Sequence, residues 1–210
     1  VLGLATGSTP IPAYEMLTQW YDRGVIDFDR VRTFNLDEYV GIDHKNPLSY
    51  HAFMQEHLFS KVNLRKENVH LPSGNAAVDV QAYDKAIHDA GGIDIQLLGL
   101  GHDGHIGFNE PNDEFDKETH CVDLTESTIE ANKRFFESED DVPKQAYTMG
   151  IKNIMQAKKI LVVVSGEDKA AILKEVLYGP ITPEVPASIL QLHNDVTIVA
   201  DEAALSKIDM

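Results

Sequence analysis

The feature that most constrains this chain is a series of short, largely apolar runs separated by segments of helical pattern. Residues 1–5, 31–36, 93–98, 160–164 and 196–200 read as strands of this kind. Strands that are apolar on both faces are buried on both faces, and the arrangement that buries them is a parallel sheet covered by helices. Tyr14, Leu17, Trp20 and Tyr21 recur at helical spacing from Pro10 until Gly24 stops the pattern. Further helices are expected over residues 47–62, 77–90, 127–136 and 149–157, and after Ser165-Gly166-Glu167-Asp168. Residues 119–124 read as a short strand, residues 180–186 as a Pro-rich loop and residues 189–192 as a short helix. The expected fold class is α/β: a mostly parallel open sheet with helices on both faces, Rossmann-like, as a single domain over residues 1–210. Val1 already lies inside an apolar run with no starting Met, so an N-terminal segment is expected to precede it.

One loop holds most of the chemistry-bearing residues. It runs Gly99-Leu100-Gly101-His102-Asp103-Gly104-His105-Ile106-Gly107-Phe108-Asn109-Glu110-Pro111 and follows the strand at 93–98. Three glycines within six residues let the backbone turn tightly and approach a ligand. His102, Asp103, His105 and Glu110 bring four proton-moving or metal-binding groups into nine residues. Open α/β sheets bind ligands at strand ends, so a polar cluster there reads as a site more readily than as a solvated surface loop.

Other strand ends add to it. Thr6-Gly7-Ser8-Thr9 lies between the first strand and a helix started by Pro10. Free amides and hydroxyls at the positive end of a helix make an anion cradle, although Ser and Thr also cap helices for purely structural reasons. No Gly-Lys-Ser/Thr is present, so this is not a Walker loop. Asp37 and Glu38 follow the second strand, where adjacent acids suit either proton transfer or a helix cap. Lys169 falls in the first turn of a helix, which is unfavourable for a cation unless an anion binds there. Arg134 is a second candidate cation. His51 and His57 read as packing or surface residues, and the acidic run at 137–141 as a solvated turn.

Composition limits the partners. The formal net charge of −16 argues against nucleic acid, whose phosphates need clustered Lys and Arg. It leaves room for a small anion held by a few local cations and amides. Cys121 is the only cysteine, so no intrachain disulfide forms and a cytoplasmic setting is expected. Cys121 itself is expected to be a small core residue. No run approaches the ~18 apolar residues of a membrane helix, and none has the form of a signal peptide. Nothing in the sequence separates a monomer from a homo-oligomer.

With these motifs in hand, the chain closely resembles the glucosamine-6-phosphate deaminase (isomerase) family along essentially its whole length. The resemblance rests on Ala5-Thr6-Gly7-Ser8-Thr9-Pro10, Phe34-Asn35-Leu36-Asp37-Glu38-Tyr39-Val40-Gly41, Gly104-His105-Ile106-Gly107-Phe108-Asn109-Glu110-Pro111, Arg134-Phe135-Phe136 and Leu190-Gln191-Leu192-His193. It implies conversion of glucosamine 6-phosphate and water to fructose 6-phosphate and ammonia, with no metal or organic cofactor. It also implies roles. His105 opens the sugar ring, oriented by Asp103 and Glu110, and Asp37 moves the C2 proton. Gly7, Ser8 and Thr9, with Arg134 and Lys169, hold the 6-phosphate. Glu38 matches the motif but receives no chemical step. Regulated members carry basic residues after the Asn-Glu-Pro motif, where this chain has Asp113, His120 and Val122. Activation by N-acetylglucosamine 6-phosphate is therefore not expected.

Three other readings compete. A 6-phosphogluconolactonase shares the fold and a similar Asp-Gly-His loop, but resembles Asp-Glu-Arg at the second strand, where this chain has Tyr39, and differs over residues 106–111. A zinc hydrolase would use His102, His105, Asp103 and Glu110 as ligands. A phosphosugar sensor would not need a complete proton relay, and this chain is strongly acidic with no helix-turn-helix extension.

Overall fold

The computed structural model describes residues 1–72, 80–133, 136 and 142–208. In chain order the strands are β1 (Leu2–Leu4), β2 (Thr33–Asn35), β3 (Asp37–Tyr39), β4 (Val69–His70), β5 (Ile95–Leu98), β6 (His120–Asp123), β7 (Gln145–Thr148), β8 (Lys159–Val164) and β9 (Val196–Ala200). The α-helices are α1 (Ile11–Asp22), α2 (Tyr50–His57), α3 (Gln81–Asp89), α4 (Glu126–Lys133), α5 (Ile151–Met155) and α6 (Ala170–Tyr178).

Six strands form the expected parallel sheet, in the order β4-β2-β1-β5-β8-β9. Thr33, Phe34 and Asn35 are buried in succession, as are Gln96, Leu97 and Leu98, so both faces are covered. Tyr14 of α1, Tyr83 and Ile87 of α3, and Leu173 and Val176 of α6 pack with these strands in one core. Each such side chain, fully buried, stabilises the fold by roughly 1.5–3 kcal/mol. From β1 the chain moves outward through β2 to β4, then returns to β5 on the other side of β1 and moves out through β8 to β9. The order reverses between β1 and β5, which opens a crevice at their carboxyl ends.

The remaining strands form a second, antiparallel sheet in the order β3-β7-β6. β2 and β3 are separated by Leu36 alone. Its N–H donates to the Leu4 carbonyl at 3.0 Å, and its own carbonyl accepts from the Met149 N–H at 2.6 Å. The chain therefore leaves one sheet and joins the other within a single residue, and Asp37, paired with Thr148, comes next.

Several expectations are corrected. Asp37–Tyr39 form a strand, with a turn only at residues 40–41, and the strand at 145–148 has no apolar run to announce it. The helix expected over 47–62 is shorter: Ser49 caps its start, and the chain breaks at Leu58 into a short 3-10 turn. Lys169 ends a 3-10 turn, Glu167–Lys169, and caps α6 rather than lying inside it. Residues 189–192 belong to a longer 3-10 segment, Pro186–Leu192. Cys121 is exposed, because its place in the alternating strand β6 points outward. The helix expected from residue 77 is described only from Gln81 onward. No described helix is long and apolar enough to cross a membrane.

Candidate active site

The loop after β5 is built on backbone contacts that leave its side chains aimed. The Gly101 N–H donates to the His105 carbonyl at 3.0 Å, and the Gly104 carbonyl accepts from the Ala187 N–H at 2.8 Å. The His105 N–H donates to Asp103 Oδ1 at 3.1 Å. The imidazole lies flat against Gly101: a Cβ there would sit 2.5 Å from its ring atoms. Glycine at 101 is thus a requirement of close approach.

His105 stands between two acids. Its Nδ1 is 2.7 Å from Asp103 Oδ1 and 3.2 Å from Glu110 Oε2, though neither contact is aligned as a hydrogen bond. The other Glu110 oxygen, Oε1, accepts from Thr128 Oγ1 at 2.6 Å and from Thr125 Oγ1 at 3.4 Å. The first turn of α4 thereby fixes which oxygen faces the imidazole. Burial alone would lower the His105 pKa, but the Asp103 and Glu110 carboxylates outweigh it and push it up to about 9. Burial likewise opposes the ionised form of Asp103, yet the His105 partner holds that acid well below the usual carboxylate range.

Asp37 is only 6% exposed. Burial, reinforced by the neighbouring Glu38 charge and partly offset by His105, pushes its pKa up to about 8. It faces the same loop: a Cβ on Gly107, where φ is +60°, would lie 3.7 Å from Asp37 Oδ2 and 2.9 Å from Thr148 Oγ1. Thr148 Oγ1 accepts from the Phe108 N–H at 3.0 Å, and Asn109 Nδ2 donates to the Ile106 and Met149 carbonyls at 2.8 and 2.9 Å. These bonds fasten the loop to the small sheet. A carboxylate of raised basicity facing a charged histidine is equipped to take a proton from carbon while the histidine serves an oxygen.

The turn after β1 is held by Tyr14 of α1, whose Oη donates to the Ala5 carbonyl at 2.5 Å. Gly7 takes a positive φ of 89°, Ser8 is exposed and Thr9 half-buried. Neither hydroxyl caps α1; the cap position is Pro10, with no side-chain bond. The helix-cap alternative for this turn therefore fails. Lys169 reaches from the turn after β8 and donates to the Leu100 carbonyl at 2.8 Å. Burial lowers its pKa, with Asp168 and Asp103 pulling the other way. Arg134 lies outside the described residues.

The zinc quartet does not assemble. His102 is exposed and its Nε2 contacts Asp168 Oδ2 at 2.6 Å instead. Asp103, His105 and Glu110 remain close, with ligand atoms within 4.8 Å of one another. To bind a metal, His105 would have to give up the proton that both acids favour. Sequence reasoning missed Thr125, Thr128 and Thr148, which no local pattern singles out. It left Glu38 without a role, although the residue stands inside a quoted motif.

The fold and its crevice define a doubly wound α/β protein carrying a histidine–dicarboxylate group opposite a buried aspartate. The profile of the family described as glucosamine-6-phosphate isomerases/6-phosphogluconolactonase matches residues 1–199, and the chain belongs to that family. A glucosamine-6-phosphate deaminase of Lachnoclostridium phytofermentans is 58% identical over 202 residues, covering 95% of this chain and 86% of that one. One from Clostridioides difficile is 53% identical over 212 residues, 100% of this chain and 85% of its own. The solved structure of a monomeric glucosamine-6-phosphate deaminase superposes with a TM-score of 0.95 at 42% identity, covering 98% of this chain and 87% of that chain. A 6-phosphogluconolactonase of Thermotoga maritima has a TM-score of 0.73 at 22% identity over 95% of this chain and 83% of its own, which is a likeness of fold alone.

Proposed function

We propose that this chain is a glucosamine-6-phosphate deaminase, converting glucosamine 6-phosphate and water to fructose 6-phosphate and ammonia in amino-sugar catabolism. The observation that carries the reading is identity of 58% and 53%, over nearly the whole chain, to proteins of that name. The site supports it chemically. Protonated His105, held by Asp103 and Glu110, gives a proton to the ring oxygen as the C1–O5 bond breaks, and the freed imidazole takes the C1 hydroxyl proton, so the pyranose opens to the aldehyde. Asp37 then takes the C2 proton while His105 protonates O1, leaving an enolamine, and Asp37 returns its proton at C1. Water adds to the resulting C2 imine and ammonia leaves. Gly7, Ser8, Thr9 and Lys169, with Arg134, bind the 6-phosphate, and that remote grip aligns C2 with Asp37. The substrate is a small phosphosugar, and the chain works in the cytoplasm.

A coupled assay for ammonia and fructose 6-phosphate tests the activity. Asp37→Asn is expected to lower turnover by about 10²–10⁴-fold, the usual contribution of a positioned base. Solvent deuterium entering C1 or C2 at a near wild-type rate in that variant would overturn the assignment. The pH profile gives a second check. kcat/KM is expected to rise as Asp37 ionises near pH 8 and to fall as His105 loses its proton near pH 9. A flat profile between pH about 6 and 10 contradicts both roles.

A further inference from the structure

Glu38 follows the proposed base directly and is 4% exposed. In strand β3 successive side chains point to opposite faces, so Glu38 turns away from the loop that Asp37 faces. Its Oε1 accepts from the N–H groups of Tyr39 at 2.9 Å and Tyr50 at 3.0 Å, and its Oε2 accepts from the His51 N–H at 3.0 Å. Tyr50 and His51 are the first two residues of α2, and Ser49 already caps the third through the Ala52 N–H at 3.0 Å. Three backbone donors and the positive end of a helix thus fix one carboxylate that touches no crevice group.

A neutral amide at this place would satisfy much of the same bonding without burying a charge, which costs several kcal/mol even when well paired. The cost is larger beside a second buried acid. The charge itself therefore calls for an explanation, and a helix cap alone does not supply one.

We infer that Glu38 is a positioning residue for the reaction, an anion locked by backbone N–H groups that acts through its charge on Asp37 and holds α2 against the site. This rests on the reading of Asp37 as the base. The other groups near Asp37 are His105 from the loop after β5, Tyr14 of α1, Tyr39 of β3, Tyr50 of α2 and Tyr83 of α3. His44 acts on Glu38 from the far side. Burial raises the pKa of each of these tyrosines, so they stay neutral through the working range. His105 favours ionised Asp37, which leaves Glu38 as the negative charge that opposes it. Burial raises the Glu38 pKa above its ordinary value, and the same three N–H bonds act against that rise. Fixing α2 also sets the Tyr50 ring against Tyr39, with centroids 4.7 Å apart, and stacks it over Phe108 at 6.1 Å, walling in the base.

The test is the pH dependence of kcat/KM in Glu38→Gln, with Asp37→Asn run beside it. The acidic limb is expected to move down by about one pH unit, with KM within about twofold of wild type and kcat lowered several-fold as the base weakens. An unmoved limb, with activity falling only in step with the folded fraction, overturns the inference and leaves Glu38 a helix cap. Carboxyl carbon NMR titration of the wild-type protein provides a check that needs no variant. Glu38 is expected to ionise at lower pH than Asp37; Glu38 still protonated where Asp37 ionises also overturns the inference. If Asp37→Asn keeps exchanging the C2 proton, the base assignment fails and this inference with it. If that variant is inactive and the Glu38→Gln limb stays in place, the inference alone fails.

Discussion

An aspartate on an unfolded chain ionises near pH 4, whereas Asp37, buried beside Glu38, keeps its proton to about pH 8. Between those values the folded chain holds a proton that the unfolded chain has released, so stability falls as pH rises. The contribution is fully present below about pH 4 and lost once the pH passes about 8. His105 acts in the same direction at higher pH: its raised folded value, about 9, means stability that is lost as pH climbs from the ordinary histidine range through that value. Each unit of separation is worth about 1.4 kcal/mol. Asp37→Asn, which has no proton to lose, is therefore expected to become more stable than wild type as pH rises. The gap should widen by about 4 kcal/mol between about pH 5 and pH 9. Urea unfolding at the two pH values measures it, and a constant gap would mean that Asp37 titrates as an ordinary exposed acid.

At the scale of the element, the loop after β5 is shaped by what glycine leaves out. Gly101→Ala would place a methyl 2.5 Å from the His105 ring, and the ring is held in place by Asp103 and Glu110. The expected result is a loss of about 1–3 kcal/mol in stability, as in other overpacked sites. Ring opening should suffer more than proton exchange on an open-chain analogue. Equal rates on the cyclic substrate before and after the change would show that the ring moves aside freely. This loop was legible in the sequence because its glycines and acids are contiguous and follow an apolar strand. β5 and β8 were legible because their side chains are largely apolar. β3 was not, since Asp-Glu-Tyr reads as a turn until a second sheet buries it. β7, Gln-Ala-Tyr-Thr, has no periodic signal of its own and is a strand because β3 and β6 pair with it. Glu38 as a cap for α2 was hidden by a separation of twelve positions along the chain. The hold of Thr128 on Glu110 joins residues from different elements that only the fold brings together.

Over the whole molecule the charge is strongly negative, −16, so the proposed phosphosugar substrate would have to be held by local groups against an unfavourable field. The segment after Glu110 has no such groups to offer a second phosphate. Asp113, Glu114, Asp116 and Glu118 surround Lys117. The His120 Nε2 lies 3.6 Å from Asp116, and the Lys152 amine is taken up by Glu118 at 2.9 Å. Hyperbolic kinetics are therefore expected, unchanged by N-acetylglucosamine 6-phosphate, since an effector bound weakly by every state has no differential affinity to act with. Initial rates with and without saturating effector check this, and a sigmoidal curve made hyperbolic by it would contradict it. The passage of the chain from one sheet to the other through Leu36 alone also bears on how substrates are chosen. A base carried on a long loop could swing to meet sugars of different shape. Asp37 hangs on a tether without slack, bonded one residue earlier to Leu4 of the large sheet and to Met149 at the end of β7. On the proposed mechanism it cannot travel to its target, so the sugar would have to bring its carbon to the carboxylate, and selectivity would fall to whichever phosphosugars can span that fixed distance from the proposed phosphate grip.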